Sequence, residues 1–311
     1  MRALVIGADG FAGRWLVKHL LEAGDAVVGL VGPRFRPPLE GVERVEQVDV
    51  RDEGGVAALV EIARPDAVYY LAGVSSQEER EDVSAAVGIS VVGSMNTLMA
   101  CARIEPHPRL LFVSTGYVYR AAAEPLDERS PTEPDTIYAA AKLAAERALL
   151  AIGPAAGVEV VIARPFNHIG PGQSDSFLVP TMARQVVSGG DGKPREIRVA
   201  DASVVRDFTD VRDVVAAYRL LMNCARAGSV YNVASGSGIS VRDLAHELGR
   251  SANVAVQVAT TGMPTAHGTA AHVLGNPREL EALGWSRRFD LATTLSDVLT
   301  DQAAGRDAGS S

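Results

Sequence analysis

Cysteine is nearly absent from this 311-residue chain, and basic residues do not outnumber acidic ones. Its two cysteines, Cys101 and Cys224, sit in apolar helix-like stretches without CxxC or metal-ligand spacing. That excludes a disulfide framework and a cysteine metal site, and it predicts two reduced, buried thiols in a cytoplasmic protein. With 30 Lys+Arg against 38 Asp+Glu, the net charge of −8 offers no basic footprint for nucleic acid. No apolar run approaches the roughly 18–20 residues needed to span a bilayer. The opening MRALVIGADG lacks a signal-peptide pattern, so neither membrane nor export is expected. What remains, 47% hydrophobic and 22% charged residues, is the composition of a globular protein with one large or two modest domains.

The first half alternates short apolar runs with helix-like stretches. Strands are predicted at 2–6, 26–31, 44–50, 67–73, 109–115 and 158–167, with helices at 11–23, 54–63, 85–103 and 136–152. Strands alternating with helices, the strands apolar on both faces, indicate an α/β fold: a Rossmann-type, doubly wound parallel sheet over residues 1–163. Beyond about 164, Gly and Pro cluster and the alternation weakens. Residues 164–300 therefore read as a smaller C-terminal substrate-binding lobe, with helices near 211–226, 240–250 and 290–303, the first of them packing back on the sheet. The small, polar segment 301–311 reads as a flexible tail.

Gly7-Ala8-Asp9-Gly10-Phe11-Ala12-Gly13 follows the first strand and opens a helix. Such a turn needs glycine, and a phosphate needs close backbone approach and the unpaired amides of a helix N-terminus. After the second strand, where an NAD-type site would place an acid, stand Gly32-Pro33-Arg34-Phe35-Arg36. Arg34 and Arg36 suit a 2′-phosphate, which points to NADP(H), with NAD(H) left open. Tyr138 and Lys142 are spaced i, i+4, on one face of an Ala-rich helix. With only three lysines (Lys18, Lys142, Lys193) and 7 tyrosines, this pairing has little chance frequency. A cation beside a phenol favours the phenolate, which makes Tyr138 a candidate general acid/base.

On these motifs the chain resembles the extended short-chain dehydrogenase/reductase family, from Met1 to about Gly284. Within that family it is similar to the branch acting on nucleotide sugars. The resemblance implies that Gly7, Gly10, Phe11, Ala12 and Gly13 hold the cofactor. To the cofactor also belong Asp49-Val50 at the adenine, Leu71-Ala72-Gly73, Pro165 and His168. It implies Thr115 as the catalytic hydroxyl beside Tyr138 and Lys142, which also contact the cofactor. Ser75, Thr115, Gly116 and Asn167 would contact the substrate, and Arg206 its diphosphate. Three positions depart from the family pattern. Met263 stands where a second diphosphate arginine is common, Ser90 where Asn is usual, and Gly116-Tyr117 where dehydratases carry acids.

The resulting expectation is NADPH-dependent reduction of the 4-keto group of a nucleotide-linked 4-keto-6-deoxyhexose. No metal is called for. Two other readings fit the same residues: an epimerase or dehydratase that retains its nicotinamide, and a non-enzymatic dinucleotide sensor. The resemblance further implies a homodimer formed through helices near 85–103 and 136–152. Apolar outer faces there are equally compatible with packing inside one chain.

Overall fold

The computed structural model describes residues 1–32, 39–73, 82–188, 194–262 and 272–309. The first half runs β1 (Arg2–Ile6), α1 (Phe11–Glu22), β2 (Ala26–Val31), β3 (Arg44–Gln47), α2 (Glu53–Ala63), β4 (Ala67–Tyr70), α3 (Val83–Cys101), β5 (Arg109–Val113), α4 (Ile137–Ile152) and β6 (Val160–Pro165). The second half adds β7 (Asn167–Ile169), α5 (Leu178–Val187), β8 (Arg195–Val199), β9 (Val205–Asp210), α6 (Val211–Cys224), β10 (Val230–Val233), β11 (Gly238–Ser240), α7 (Val241–Ser251), β12 (Val256–Thr260), β13 (His272–Val273), α8 (Arg278–Glu281) and α9 (Leu291–Gly309).

Among the described residues, seven strands form one parallel sheet in the order β10-β6-β5-β4-β1-β2-β3. Successive strand residues point to opposite faces. Ala3 and Val5 therefore join a core with Leu16 and Leu20 of α1 and Val214 and Leu221 of α6. Leu4 and Ile6 join the opposite core with Leu59 of α2, Leu98 of α3 and Leu149 of α4. Both faces are covered, as the doubly apolar strands require. The order reverses between β1 and β4, and at such a switch point a crevice opens beyond the strand C-termini. A third core, from α5, β8, α7 and α9, lies in the second half.

Five expectations change. The strand expected over 44–50 stops at Gln47. The second half returns β10 to the sheet as well as α6. Residues 301–309, expected as a frayed tail, continue α9 as helix. Leu295, Val298 and Leu299 anchor that helix in the third core, and its Asp301 and Gln302 bond to Gly172 N–H and Asp175, both at 2.9 Å. Cys224 is exposed rather than buried, because it ends α6 on the face turned from the sheet, while Cys101 is buried. The expectation of no span-length apolar run is also corrected. α3 reaches 19 residues at mean hydropathy 1.5. Its inner face, including Ala86, Leu98 and Cys101, seals the sheet.

Candidate active site

The glycine loop closes over the switch point. The amides of Gly7 and Ala8 both donate to the Leu30 carbonyl, at 2.9 and 3.1 Å, tying the loop to the end of β2. Gly7 has φ +86°, a left-handed conformation that glycine adopts without strain. A Cβ on Gly13 would lie 2.0 Å from the Gly7 carbonyl oxygen, so α1 can approach only because that atom is missing. α1 starts from Gly10, whose side chain cannot cap it. The first-turn amides, Phe11 to Gly13, thus lack intrahelical acceptors and carry the positive end of the helix dipole. This cradle suits a pyrophosphate.

Opposite the loop, the Phe11 ring stacks on His168 with 5.8 Å between centroids and 5° between planes. Burial pushes the His168 imidazole below its ordinary pKa, so it stays neutral there. Pro165, three residues earlier, ends β6 and is buried, paired with Val233 of β10. Val50 is buried, and its carbonyl accepts from Asn96 Nδ2 at 3.0 Å. Asp49 pairs with Arg51 at 2.6 Å, which holds its carboxyl below the usual carboxylate range. Ser90 is buried in a π-helical turn of α3, Gly88–Gly93. Arg34, Arg36, Ser75 and Met263 lie outside the described residues.

α4 carries the Tyr–Lys pair. Thr136 caps it, its Oγ1 accepting from Ala139 N–H at 3.1 Å, and the Ala-rich body favours helix. Lys142 is buried, and its Nζ donates to Val113 O (2.8 Å) and more weakly to Ala72 O (3.5 Å). A Cβ on Gly73 would stand 3.5 Å from that Nζ. Burial pulls the ammonium down to about 8, with the Glu146 carboxylate opposing. The half-buried Tyr138 ring lies one helical turn earlier, 6.0 Å from Nζ. Thr115 follows β5; its Oγ1 accepts from Tyr117 N–H at 3.2 Å, leaving its own proton to donate. Thr115, Tyr138, Lys142 and Leu71–Gly73 thus meet at the C-terminal ends of β4 and β5.

The substrate candidates converge through a residue that sequence reasoning recorded only as a departure. Tyr117 donates to Asn167 Oδ1 at 2.8 Å and is hydrogen-bonded to Arg206. Asn167 Nδ2 donates to Asp207 O at 3.2 Å, and Arg206, 6% exposed, donates to Val205 O at 2.9 Å. Gly116 lies against the Phe166 ring, which a Cβ would approach to 3.1 Å.

A second polar cluster, also missed, lies beneath the Tyr–Lys pair. Glu146 receives the Ser114 hydroxyl and two bonds from Arg164, Nε at 3.0 Å and Nη2 at 2.6 Å. Both charges are buried. Arg164 stacks under Tyr119 at 4.7 Å, and Tyr119 donates to Asn232 Oδ1 at 2.7 Å. Continuing the Tyr138–Lys142 spacing by four residues reaches Glu146, a signal legible in the sequence.

The profile of the NAD dependent epimerase/dehydratase family matches residues 3–234. A GDP-6-deoxy-D-mannose reductase of Pseudomonas aeruginosa is 36% identical over 306 residues, covering 96% of each chain. The structure of RMD from Pseudomonas aeruginosa complexed with NADPH superposes with TM-score 0.85 at 32% identity, over 98% of this chain and 100% of that one. A UDP-glucose 4-epimerase of Thermus thermophilus in complex with NAD superposes equally, TM-score 0.85 at 28% identity, over 97% and 99%.

Proposed function

Because the chain belongs to the NAD dependent epimerase/dehydratase family, and is thereby an NAD(P)-dependent oxidoreductase of the extended short-chain dehydrogenase/reductase type, we propose that it reduces the 4-keto group of a nucleotide-linked 4-keto-6-deoxyhexose with NADPH. The observation that carries this reading is the grouping of Thr115, Tyr138 and Lys142 beyond β4 and β5, beside the Leu71–Gly73 segment against which Gly7 packs. The Pseudomonas reductase, similar over the whole length, supports the substrate class and makes GDP the first nucleotide to test.

The Gly7–Gly13 cradle would hold the pyrophosphate of NADP(H), with Leu71–Gly73 bordering the cofactor, which when bound would supply the hydride for the carbonyl carbon. Tyr138 gives its phenolic proton to the carbonyl oxygen as negative charge develops there, so ketone, hydride and proton sum to the alcohol. The Thr115 hydroxyl donates to the same oxygen. Lys142, an ammonium below about pH 8, makes the departing proton easier to lose. On the substrate side, Arg206 supplies positive charge for a diphosphate, and Asn167 and Gly116 border the sugar. A dehydratase needs acids beside the catalytic hydroxyl; glycine and a neutral phenol stand there. An epimerase would recycle its nicotinamide, so net NADPH consumption separates the two readings.

We assign residues 1–163 to the dinucleotide and 164–300 to the substrate. Val83, Val87, Val92 and Met99 of α3 and Ile137 and Ile152 of α4 are exposed apolar side chains on neighbouring helices. We take that face as the contact of a homodimer, and the cytoplasm as the compartment, given two free thiols. Sedimentation should return about twice 32.7 kDa, and Val92→Glu with Met99→Glu should return the monomer. A wild-type monomer at micromolar concentration removes the dimer.

With a 4-keto-6-deoxyhexose diphosphonucleoside and NADPH, Tyr138→Phe should lower kcat by about 10²–10⁴ while NADPH affinity holds. Wild-type turnover in that variant would remove Tyr138 as proton donor.

A further inference from the structure

One buried carboxylate joins the segments that carry Tyr138 and Lys142, Thr115, and Pro165. Glu146 lies on α4, four residues after Lys142 and eight after Tyr138, on the same helical face. Its Oε1 accepts from Ser114, the neighbour of Thr115 at the end of β5. Both its oxygens accept from Arg164, the neighbour of Pro165 at the end of β6, and β6 leads into Asn167 and His168. α4, β5 and β6 are thereby pinned to one another directly beneath Tyr138, Thr115 and Pro165. Ser114, Glu146 and Arg164 are all nearly inaccessible to water, at 2%, 1% and 4% exposure.

We propose that Glu146, clamped by Arg164 and Ser114, is a positioning residue: it sets the register of the Tyr138–Lys142 face against Thr115 and supplies the counter-charge for the Lys142 ammonium.

Geometry supports each half of this. A bidentate guanidinium–carboxylate pair fixes both distance and plane, which a single bond or an apolar contact does not. Among the described residues, Lys142 meets no other anion. Around its Nζ stand the Val113 carbonyl and Phe112 ring of β5, the Ala72 carbonyl after β4, and Tyr138 and Glu146 on its own helix. The charge beyond Glu146 is Arg164, itself held by that carboxylate. In surroundings this dry, one carboxylate at a helical turn's distance offsets part of the desolvation of the amine, which stays the larger effect. A buried ion pair adds little net stability over apolar residues of similar volume, so stability alone does not account for the clamp. The clamp does something for Lys142 that packing does not.

The inference rests on the Tyr138–Lys142 reading and is tested apart from it. The chain contains three lysines, so lysine labelled with ¹³C at Cε gives three signals, and Lys142→Met assigns the one of interest. In the wild type that signal should titrate with a midpoint of about 8. In Glu146→Gln the midpoint should fall by at least about half a unit, a threefold loss of proton affinity. Glu146→Gln leaves Arg164 buried without its partner and can fail to fold. Glu146→Leu with Arg164→Met removes both charges at similar volume and is the second variant. A purely structural clamp, replaced by apolar packing, would leave the midpoint where it was, and that result in either folded variant overturns the proposal. The same downward shift should appear in the high-pH limb of kcat, with NADPH affinity unchanged at pH 7. Should Tyr138→Phe keep full turnover while the midpoint still moves, the catalytic reading fails and the electrostatic role of Glu146 stands.

Discussion

The two walls of the crevice are built from different materials. The wall formed by Gly7–Gly13 and α1 is backbone: amides held to Leu30, a glycine at φ +86°, and a helix start approached to the limit of contact. The wall formed by Tyr117, Asn167 and Arg206 is side chain, mounted on the short strands β7 and β9 and the turn after β5, and joined by hydrogen bonds among the side chains themselves. A backbone wall accepts any dinucleotide phosphate and tolerates little change in its own sequence. A side-chain wall can be re-cut residue by residue, which fits a family whose members act on different sugars.

Gly13→Val should break the first wall outright. Its Cβ would fall 2.0 Å from the Gly7 carbonyl, a backbone atom that cannot step aside. The variant should lose about 3 kcal/mol or more of stability and all measurable NADPH affinity, read by thermal melting and titration calorimetry. A folded Gly13→Val with wild-type NADPH affinity would show that α1 does not approach the loop this closely. Arg206→Ala acts on the second wall alone. Removing a 6%-exposed cation from the proposed diphosphate site should cost about 2–4 kcal/mol, seen as a rise of KM of roughly thirtyfold or more, with NADPH binding nearly unchanged. A matching loss of NADPH affinity would mean that the walls are not independent.

The same division explains what the sequence made legible. Gly7, Gly10 and Gly13 are read from spacing because a backbone site depends on where side chains are missing. Tyr138 and Lys142 are read because both lie on one helix, where four residues make one turn. The strands β1, β2 and β4 announce themselves by apolar runs. Tyr117 was visible only as the absence of an acid, since its partners Asn167 and Arg206 lie 50 and 89 positions on and meet it only after β7 pairs with β9. Arg164 gave no hint of Glu146, because their pairing depends on α4 crossing the sheet. The helicity of 301–309 was hidden for a similar reason. Its polar composition suggests a tail, and the bonds from Asp301 and Gln302 to residues 172 and 175 are tertiary.

Tyr117→Phe is the smallest of these changes and the most specific to the second wall. The ring stays, so packing is preserved, and one hydroxyl is lost. In the wild type that hydroxyl is neutral: burial pushes its pKa up, and Arg206 opposes without reversing the shift. It therefore donates to Asn167 and bonds Arg206 at once, fixing the amide plane of one residue against the guanidinium of the other. Without it, Asn167 keeps the bond to Asp207 O and Arg206 the bond to Val205 O. Neither loses its fold, but the two can turn independently. One net hydrogen bond of about 1–1.5 kcal/mol should appear as a five- to tenfold rise in KM, with little change in melting temperature or NADPH affinity. A KM equal to wild type would mean that Asn167 and Arg206 hold their orientations unaided. A fall in kcat at constant KM would instead place the Tyr117 hydroxyl near the carbonyl rather than at the diphosphate.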